Sequence, residues 1–386
     1  MTTSSDNKIN DNKWDRWIED GIASDYINYH DFDEFKNIKR IGTGGFGEVY
    51  RANWESSNTV VALKSLKNDD CCMKEIANEI TMMHKVNFHT NIVQFYGITK
   101  RKNNNRDNVD SDYLFVLEYA DSGTLRDYLE NNFNKLNWND KLQFAIQIAD
   151  AVSCIHRKNI VHRDLHSKNI LVHKNIIKLA DFGLSRRAEV STSTNNIMGV
   201  LPYIDPHHFK NKTKNDNKTL PSKKSDVYSV GVLLWEISSG LKPFGSNDAS
   251  FLLFDIINGK RETPISDTPV DYVNIYTSCW QDNPDDRPDM RKVLSELMVV
   301  NINEKLVKTW ENTTASDNYS SNDYTSIKSL LHNSLNCLLK LGNEGITTKT
   351  TDIQSRSSKN ELLRSFLKDH KESLNYKNLI GEYKKF

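Results

Sequence analysis

Residues 41–49 read Ile41-Gly42-Thr43-Gly44-Gly45-Phe46-Gly47-Glu48-Val49, a G-x-G-x-x-G-x-V spacing. Its glycines let backbone N–H groups close on phosphate oxygens with no side chain in the way. A dinucleotide fingerprint uses similar glycines but opens a helix and expects an acid about 20 residues on. Here the residues after Gly47 continue as a strand, so the loop is read as folded between two strands. Lys64 ends the apolar run Val61-Ala62-Leu63, and Glu79 follows 15 residues later. A carboxylate on an apolar helix face needs a partner. Pairing with Lys64 would hold that ammonium against bound phosphates. A rim glutamate with its head in water is the plain alternative, and Glu75, one turn earlier, is the fallback. A third cluster is His162-Arg163-Asp164-Leu165-His166-Ser167-Lys168-Asn169, with Asp181-Phe182-Gly183 beginning 17 residues after Asp164.

These side chains need elements to hold them. From Phe35 to about Phe115 the apolar residues mostly alternate, giving five strand candidates that begin at Phe35, Gly47, Thr59, Ile92 and Tyr113. One helix interrupts them: within 72–86, Ile76, Ile80 and Met83 form a stripe that contains Glu79. Beyond Asp121 the period becomes helical. Leu142, Ala145, Ile146, Ala149 and Val152 mark one amphipathic helix, with Asn137 as its N-cap. The run from Asp226 to Ser239 is apolar nearly all round and stops at Gly240, as a buried helix with a glycine terminator does. The expected class is α+β in two lobes: an antiparallel sheet with one helix over 35–120, and a mainly helical lobe over 121–300.

With H-R-D, an Asn five positions after the Asp, and D-F-G all in order after the glycine loop and V-A-L-K, the chain resembles the eukaryotic protein kinases. Ser225-Asp226-Val227-Tyr228-Ser229-Val230-Gly231 and the C-W-x-x-x-P-x-x-R-P run from Cys279 to Pro288 extend the resemblance over about 35–300 and point to the tyrosine-kinase-like group. The catalytic run, with the segment ahead of the glycine loop, is similar to fungal families of that group. The resemblance implies a protein kinase that transfers the γ-phosphoryl of ATP to protein hydroxyls, more Ser/Thr than Tyr. It implies Asp164 as acceptor of the hydroxyl proton, Asn169 and Asp181 as Mg²⁺ ligands, and Lys64 with Glu79, Arg163 and Lys168 as the rest of the catalytic set. The glycine loop from Ile41 through Val49 would cover the phosphates. Ile41, Val49, Ala62 and Leu171 would sandwich the adenine, Leu117 would be the gatekeeper, and Glu118 and Ala120 would bond the base through their backbones. The alternative is a catalytically silent scaffold of the same fold.

Three departures bear on that alternative. His166 stands where Ser/Thr kinases carry Lys, and Lys168 where many tyrosine kinases carry Arg. Val200 replaces a Thr that usually contacts the catalytic Asp, and His207 replaces a Glu that pairs with an Arg matching Arg287. A buried guanidinium without a partner is costly, so either His207 or Asp205 is expected to take that place, the alternative being an Arg287 that reaches water.

Lys plus Arg and Asp plus Glu both number 51 in 386 residues, which removes the basic excess expected of a nucleic-acid or anionic-lipid binder. No apolar run reaches membrane-spanning length, and the five scattered cysteines make neither a disulfide framework nor a zinc site. A cytoplasmic protein is expected, with the nucleus also open. Residues 1–34 are read as an extension, and 301–386 as a Ser/Asn/Thr-rich tail. Two short amphipathic segments in that tail, around Ile327–Leu338 and Leu363–His370, would dock on a partner or on the helical lobe, the alternative being a passive linker. The Asn-rich runs 100–112 and 210–224 are read as surface insertions, and Ser191 to Thr194 as activation-loop phosphosites within reach of Arg163.

Overall fold

Alternating residues from Phe35 onward become a five-stranded antiparallel sheet in the computed structural model, which describes residues 16–44, 47–65, 72–101, 112–187, 200–210, 222–245 and 249–301. Ahead of the sheet lies a short helix, α1, over 16–23. Strands β1 (Phe35–Gly44), β2 (Gly47–Trp54), β3 (Thr59–Ser65), β4 (Phe95–Arg101) and β5 (Asp112–Glu118) pair in the order β1-β2-β3-β5-β4, with α2 (Cys72–Val86) between β3 and β4. Side chains alternate across a strand, so Val61 and Leu63 of β3 enter the apolar core with Phe35, Ala52, Leu114 and Val116. Ala62 and Lys64 consequently share the opposite face.

The helical lobe follows as α3 (Leu125–Asn132), α4 (Trp138–Arg157), the short strands β6 (Ile160–Val161), β7 (Ile170–His173), β8 (Ile176–Leu179) and β9 (Arg186–Arg187), then α5 (His207–Lys210), α6 (Lys223–Ser239), α7 (Ala249–Ile257) and α8 (Val270–Cys279). A last helix, α9, covers 290–301. Asn137 caps α4 as expected: its side chain accepts the Asp140 N–H at 3.1 Å, and Asp140 accepts the Asn137 N–H in return. Leu142, Ala145, Ala149 and Val152 are buried, but Ile146 is only partly so, while Phe144 and Ile148 are buried as well. The buried arc is wider than one stripe because α4 packs against both α6 and β8. Helix α6 is buried from Ser225 to Ser239 and ends at Gly240, whose φ of 72° is the left-handed cap that a Cβ would disfavour.

The chain divides into two compact units, Met1–Leu294 and Ser295–Phe386. Both amphipathic tail segments and Ser191–Thr194 lie outside the described residues. So do 102–111 and 211–221, but the ends of those polar runs are structured: Lys100 and Arg101 belong to β4, Asp112 to β5, and Ser222 forms a capping box at the start of α6. The N-terminal extension is also built onto the sheet from residue 16, with Ile18 and Ile27 buried. Among the described residues, no helix is long and apolar enough to cross a membrane.

Candidate active site

Lys64 reaches out from β3 and donates to Glu79 Oε1 at 3.0 Å and to Asp181 Oδ1 at 3.1 Å. The two carboxylates come from α2 and from the loop after β8, so a single ammonium ties the sheet, the helix and the D-F-G turn together. Lys64 and Glu79 are both buried, which settles Glu79 against the rim alternative. Burial opposes the charge on Lys64, but Glu79 and Asp181 outweigh it and hold the ammonium's pKa up. Burial, with Asp181 adding to it, raises the Glu79 pKa against the pull of Lys64. Asp181 sits at φ 64°, a conformation Asp tolerates, and its Oδ1 also accepts the Gly183 N–H at 3.3 Å.

The loop between β6 and β7 carries Asp164. Asn169 Nδ2 donates to both Asp164 Oδ2 and the Asp164 carbonyl at 2.9 Å, which fixes the Asp164 carboxylate and leaves the Asn169 amide oxygen facing away from it. Asp164 Oδ1 has no hydrogen bond among the described atoms and lies 3.5 Å from His166 Nε2. Burial would raise the Asp164 pKa, but His166 and Asn169 lower it, so the carboxylate is ionised. The opposite ring nitrogen of His166, Nδ1, accepts the Lys168 N–H at 3.2 Å, which aims Nε2–H at Asp164. Lys168 is exposed, and Val200, 40% exposed, offers no hydroxyl.

What fixes this loop escaped the sequence reading. Asp226, buried at the start of α6, accepts the backbone N–H of His162 and of Arg163, each at 2.9 Å, and contacts His156 Nε2 at 2.8 Å. Arg163 adopts φ 74°, a strained conformation for such a residue, and these bonds help to hold it there. His162 in turn contacts the Ala180 carbonyl at 3.1 Å and packs its ring against Phe182. A charged residue at the head of an otherwise apolar helix was the available signal. Lys178 was missed too: it pairs with Glu118 at 2.7 Å and so steadies the end of β5.

Above this cluster, Gly47 has φ +139°, and a Cβ there would lie 2.3 Å from the Ser65 carbonyl, so only glycine lets β2 close on the end of β3. Around Gly42 there is open space. Gly45 and Phe46 lie outside the described residues. Ala62 pairs with Leu117 across β3 and β5, and Val49 pairs with Lys64, which brings four expected nucleotide-contacting positions to one region of the sheet. Ile41 is 51% exposed. Thr124 bridges Leu171, and the Glu118 N–H already donates to the Gln94 carbonyl at 2.9 Å. Of the Glu118 backbone, that leaves the carbonyl for a base, which narrows the expected contact.

The Arg287 question resolves in favour of Asp205. Arg287 Nη1 and Nη2 donate to the two Asp205 oxygens at 2.6 and 2.8 Å, a bidentate pair. Its other N–H groups go to the carbonyls of Gln281, Lys224 and Asp282. Asp205 is otherwise desolvated, yet Arg287 lowers its pKa. His207 contributes its backbone N–H to Asp205 Oδ1 at 3.0 Å.

A divalent cation fits this donor set. Asp181 and Asn169 offer a carboxylate and an amide oxygen, and no cluster of three or more His, Cys, Asp or Glu able to hold a metal by itself occurs among the described residues. Two protein oxygens plus phosphate and water is the arrangement a small hard cation takes at a nucleotide.

A family model described as protein tyrosine and serine/threonine kinase matches residues 35–297. The chain is 29% identical over 260 residues to a probable LIM domain-containing serine/threonine-protein kinase of Dictyostelium discoideum, covering 67% of this chain and 38% of that one. It is 33% identical over 259 residues to the tyrosine-protein kinase transforming protein Abl of Abelson murine leukemia virus, covering 66% and 33% respectively. The chain thus spans about a third of the length of these relatives. With the match running from the first strand of the sheet into the last described helix, the chain belongs to the protein tyrosine and serine/threonine kinase family.

Proposed function

We propose that this chain is an active protein kinase that transfers the γ-phosphoryl of ATP to protein hydroxyls, with Ser and Thr preferred over Tyr. The observations that carry the reading are Lys64 held between Glu79 and Asp181, and an ionised Asp164 whose Oδ1 is not hydrogen-bonded among the described atoms. Phosphoryl transfer needs positioning and charge neutralisation more than covalent help. Lys64 steadies the ATP phosphates, and the glycine loop covers them through backbone N–H groups. Asp164 Oδ1 orients the substrate hydroxyl and takes up its proton. Asn169 and Asp181 hold Mg²⁺, which neutralises charge on the phosphates when bound. Leu117, Glu118 and Ala120 line the adenine end, while Arg163 and Lys168 supply cations near the acceptor. The buried Cys154, which is in no disulfide, agrees with a reducing compartment such as the cytoplasm.

The Ser/Thr preference is supported by the G-x-x-P-Y frame ending at Tyr203, which is buried with its hydroxyl donating to Glu236 at 2.5 Å and 3.1 Å from Ser167 Oγ. Relatives of both acceptor classes carry similar catalytic domains, so the acceptor is the finer question. The second reading, a nucleotide-binding scaffold, is favoured by Val200 alone, now that Asp205 has taken the partner place beside Arg287. Incubation with labelled ATP and Mg²⁺ beside an Asp164→Asn control tests the enzyme reading, and no incorporation by wild type overturns it. Phosphosite mapping by mass spectrometry that finds mostly phosphotyrosine reverses the acceptor assignment.

A further inference from the structure

The segment ahead of β1 grips both the sheet edge and the helix that carries Glu79, and we propose that it is a positioning element in which Tyr26, stacked on His84, holds α2 where Glu79 meets Lys64. The proposal rests on the kinase reading above.

The segment is seated on a prepared surface. Strand β4 is the sheet edge, and residues 28–30 add a short parallel pairing to it: His30 N–H donates to the Ile98 carbonyl and Ile98 N–H to the Asn28 carbonyl, both at 2.9 Å. Asn28 Nδ2 and His30 Nε2 contact the Tyr96 carbonyl at 3.3 and 3.0 Å. Between these contacts lies Gly97, at φ +144°, where a Cβ would come within 2.2 Å of the Asn28 carbonyl oxygen. A glycine inside a strand marks a close backbone approach, and here the approaching backbone is the N-terminal segment. Ile18 and Ile27 are buried, and Glu19 accepts the Tyr113 hydroxyl of β5 at 2.6 Å.

Tyr26 does something these anchors do not. It remains 44% exposed, so core burial does not account for it. Its ring stacks on His84 with centroids 4.7 Å apart and planes 28° apart, while Phe95 of β4 meets His84 edge-on at 5.5 Å and Trp17 braces Tyr26 at 6.1 Å. His84 is therefore held between the N-terminal segment on one side and β4 on the other. It lies on the last turn of α2, five residues after Glu79, or about 7.5 Å along the axis at 1.5 Å per residue. A helix moves as a rod, so restraint at His84 is restraint on Glu79. Losing the stack releases one side of that grip and lowers the population in which Glu79 reaches Lys64.

The test uses the full chain as wild type, Tyr26→Ala, Tyr26→Phe, His84→Ala and the Tyr26→Ala/His84→Ala double variant. Rates with ATP and a generic protein substrate are read beside melting temperature and hydrogen exchange of the 76–86 amides. Tyr26→Ala is expected to lower kcat about three- to tenfold, the range of one aromatic contact. KM for ATP and the melting temperature should change little, and the 76–86 amides should exchange faster. Tyr26→Phe keeps the ring and should restore wild-type kcat, and the double variant should lose no more than a single one. Wild-type kcat and exchange in Tyr26→Ala, failure of Tyr26→Phe to rescue, or additive losses in the double variant would each overturn the proposal. A wild type that transfers no phosphate fails the kinase reading instead, and exchange in 76–86 still decides this one.

Discussion

Replacing Asp205 by Ala removes the carboxylate that holds both ends of the Arg287 guanidinium, a side chain with 0% exposure paired to one with 1%. Three carbonyl contacts and the Tyr228 ring, 5.3 Å from the guanidinium carbon, remain around a charge that can no longer be neutralised. Breaking a buried ion pair from one side costs about 3–5 kcal/mol. The surviving carbonyls place this case near the lower end, at about 3 kcal/mol, which for a domain of this size is roughly 6 to 10 °C of melting temperature. Because Arg287 depresses the Asp205 pKa, the contribution is present above the ordinary carboxylate value near 3.9 and is lost as pH falls through the lower folded value. Wild type should therefore lose this increment only in strong acid, and Asp205→Ala should lack it at every pH. The pair is dry, so about 0.5 M salt should leave the difference almost intact. Differential scanning calorimetry over pH measures all three expectations. His207→Glu is the sharper control: every guanidinium N–H is already occupied, so the added carboxylate should not raise the melting temperature. A rise in His207→Glu, or wild-type melting in Asp205→Ala, would refute the reasoning.

Asp164→Asn should leave ATP-Mg affinity within about twofold by calorimetric titration while lowering kcat by about 10²- to 10⁴-fold, because it removes the proposed proton acceptor and leaves the Lys64 cluster untouched. Lys64→Met should instead weaken ATP binding and leave Glu79 buried beside Asp181 without its cation, so affinity and stability fall together in the same titration and in thermal melts. Asp226→Asn should cost roughly 1–3 kcal/mol in denaturant unfolding and also lower kcat, since an amide cannot accept from both backbone donors with the strength of a carboxylate.

The grouping of Lys64 with Glu79 and Asp181, and of Asp164 with Asn169, could be anticipated through the resemblance of the V-A-L-K, H-R-D and D-F-G runs to the kinase family, and the structure makes both contacts. The strands could be read because β3 alternates, which alone put Lys64 on the face away from Leu63. The N-terminal segment could not. Its two buried hydrophobic side chains among the described residues, Ile18 and Ile27, have no period between them, and its pairing to β4 runs through backbone atoms that leave no side-chain pattern. Gly97 inside β4 was the trace it did leave. Asp226 was hidden for a similar reason, since its partners are the amides of His162 and Arg163, and any residue supplies an amide.

Asp205 shows what such a reading can and cannot fix. The need for a partner at Arg287, His207 or Asp205 if the side chain did not reach water, followed from the buried guanidinium that the family resemblance implies and from the cost of leaving one unpaired. Which residue meets it depends on the backbone from Val200 to His207. There Leu201–Tyr203 forms a 3₁₀ turn, and Asp205 bonds the His207 N–H while presenting both oxygens to Arg287. A carboxylate two positions earlier in the chain preserves the ion pair without one at position 207. The same buried pair anchors the segment that also carries Tyr203, whose hydroxyl meets Ser167 of the catalytic loop and Glu236 of α6. The loss of the usual Glu therefore does not by itself disconnect the segment after the activation loop from the catalytic loop, and His207 is not evidence for a silent scaffold.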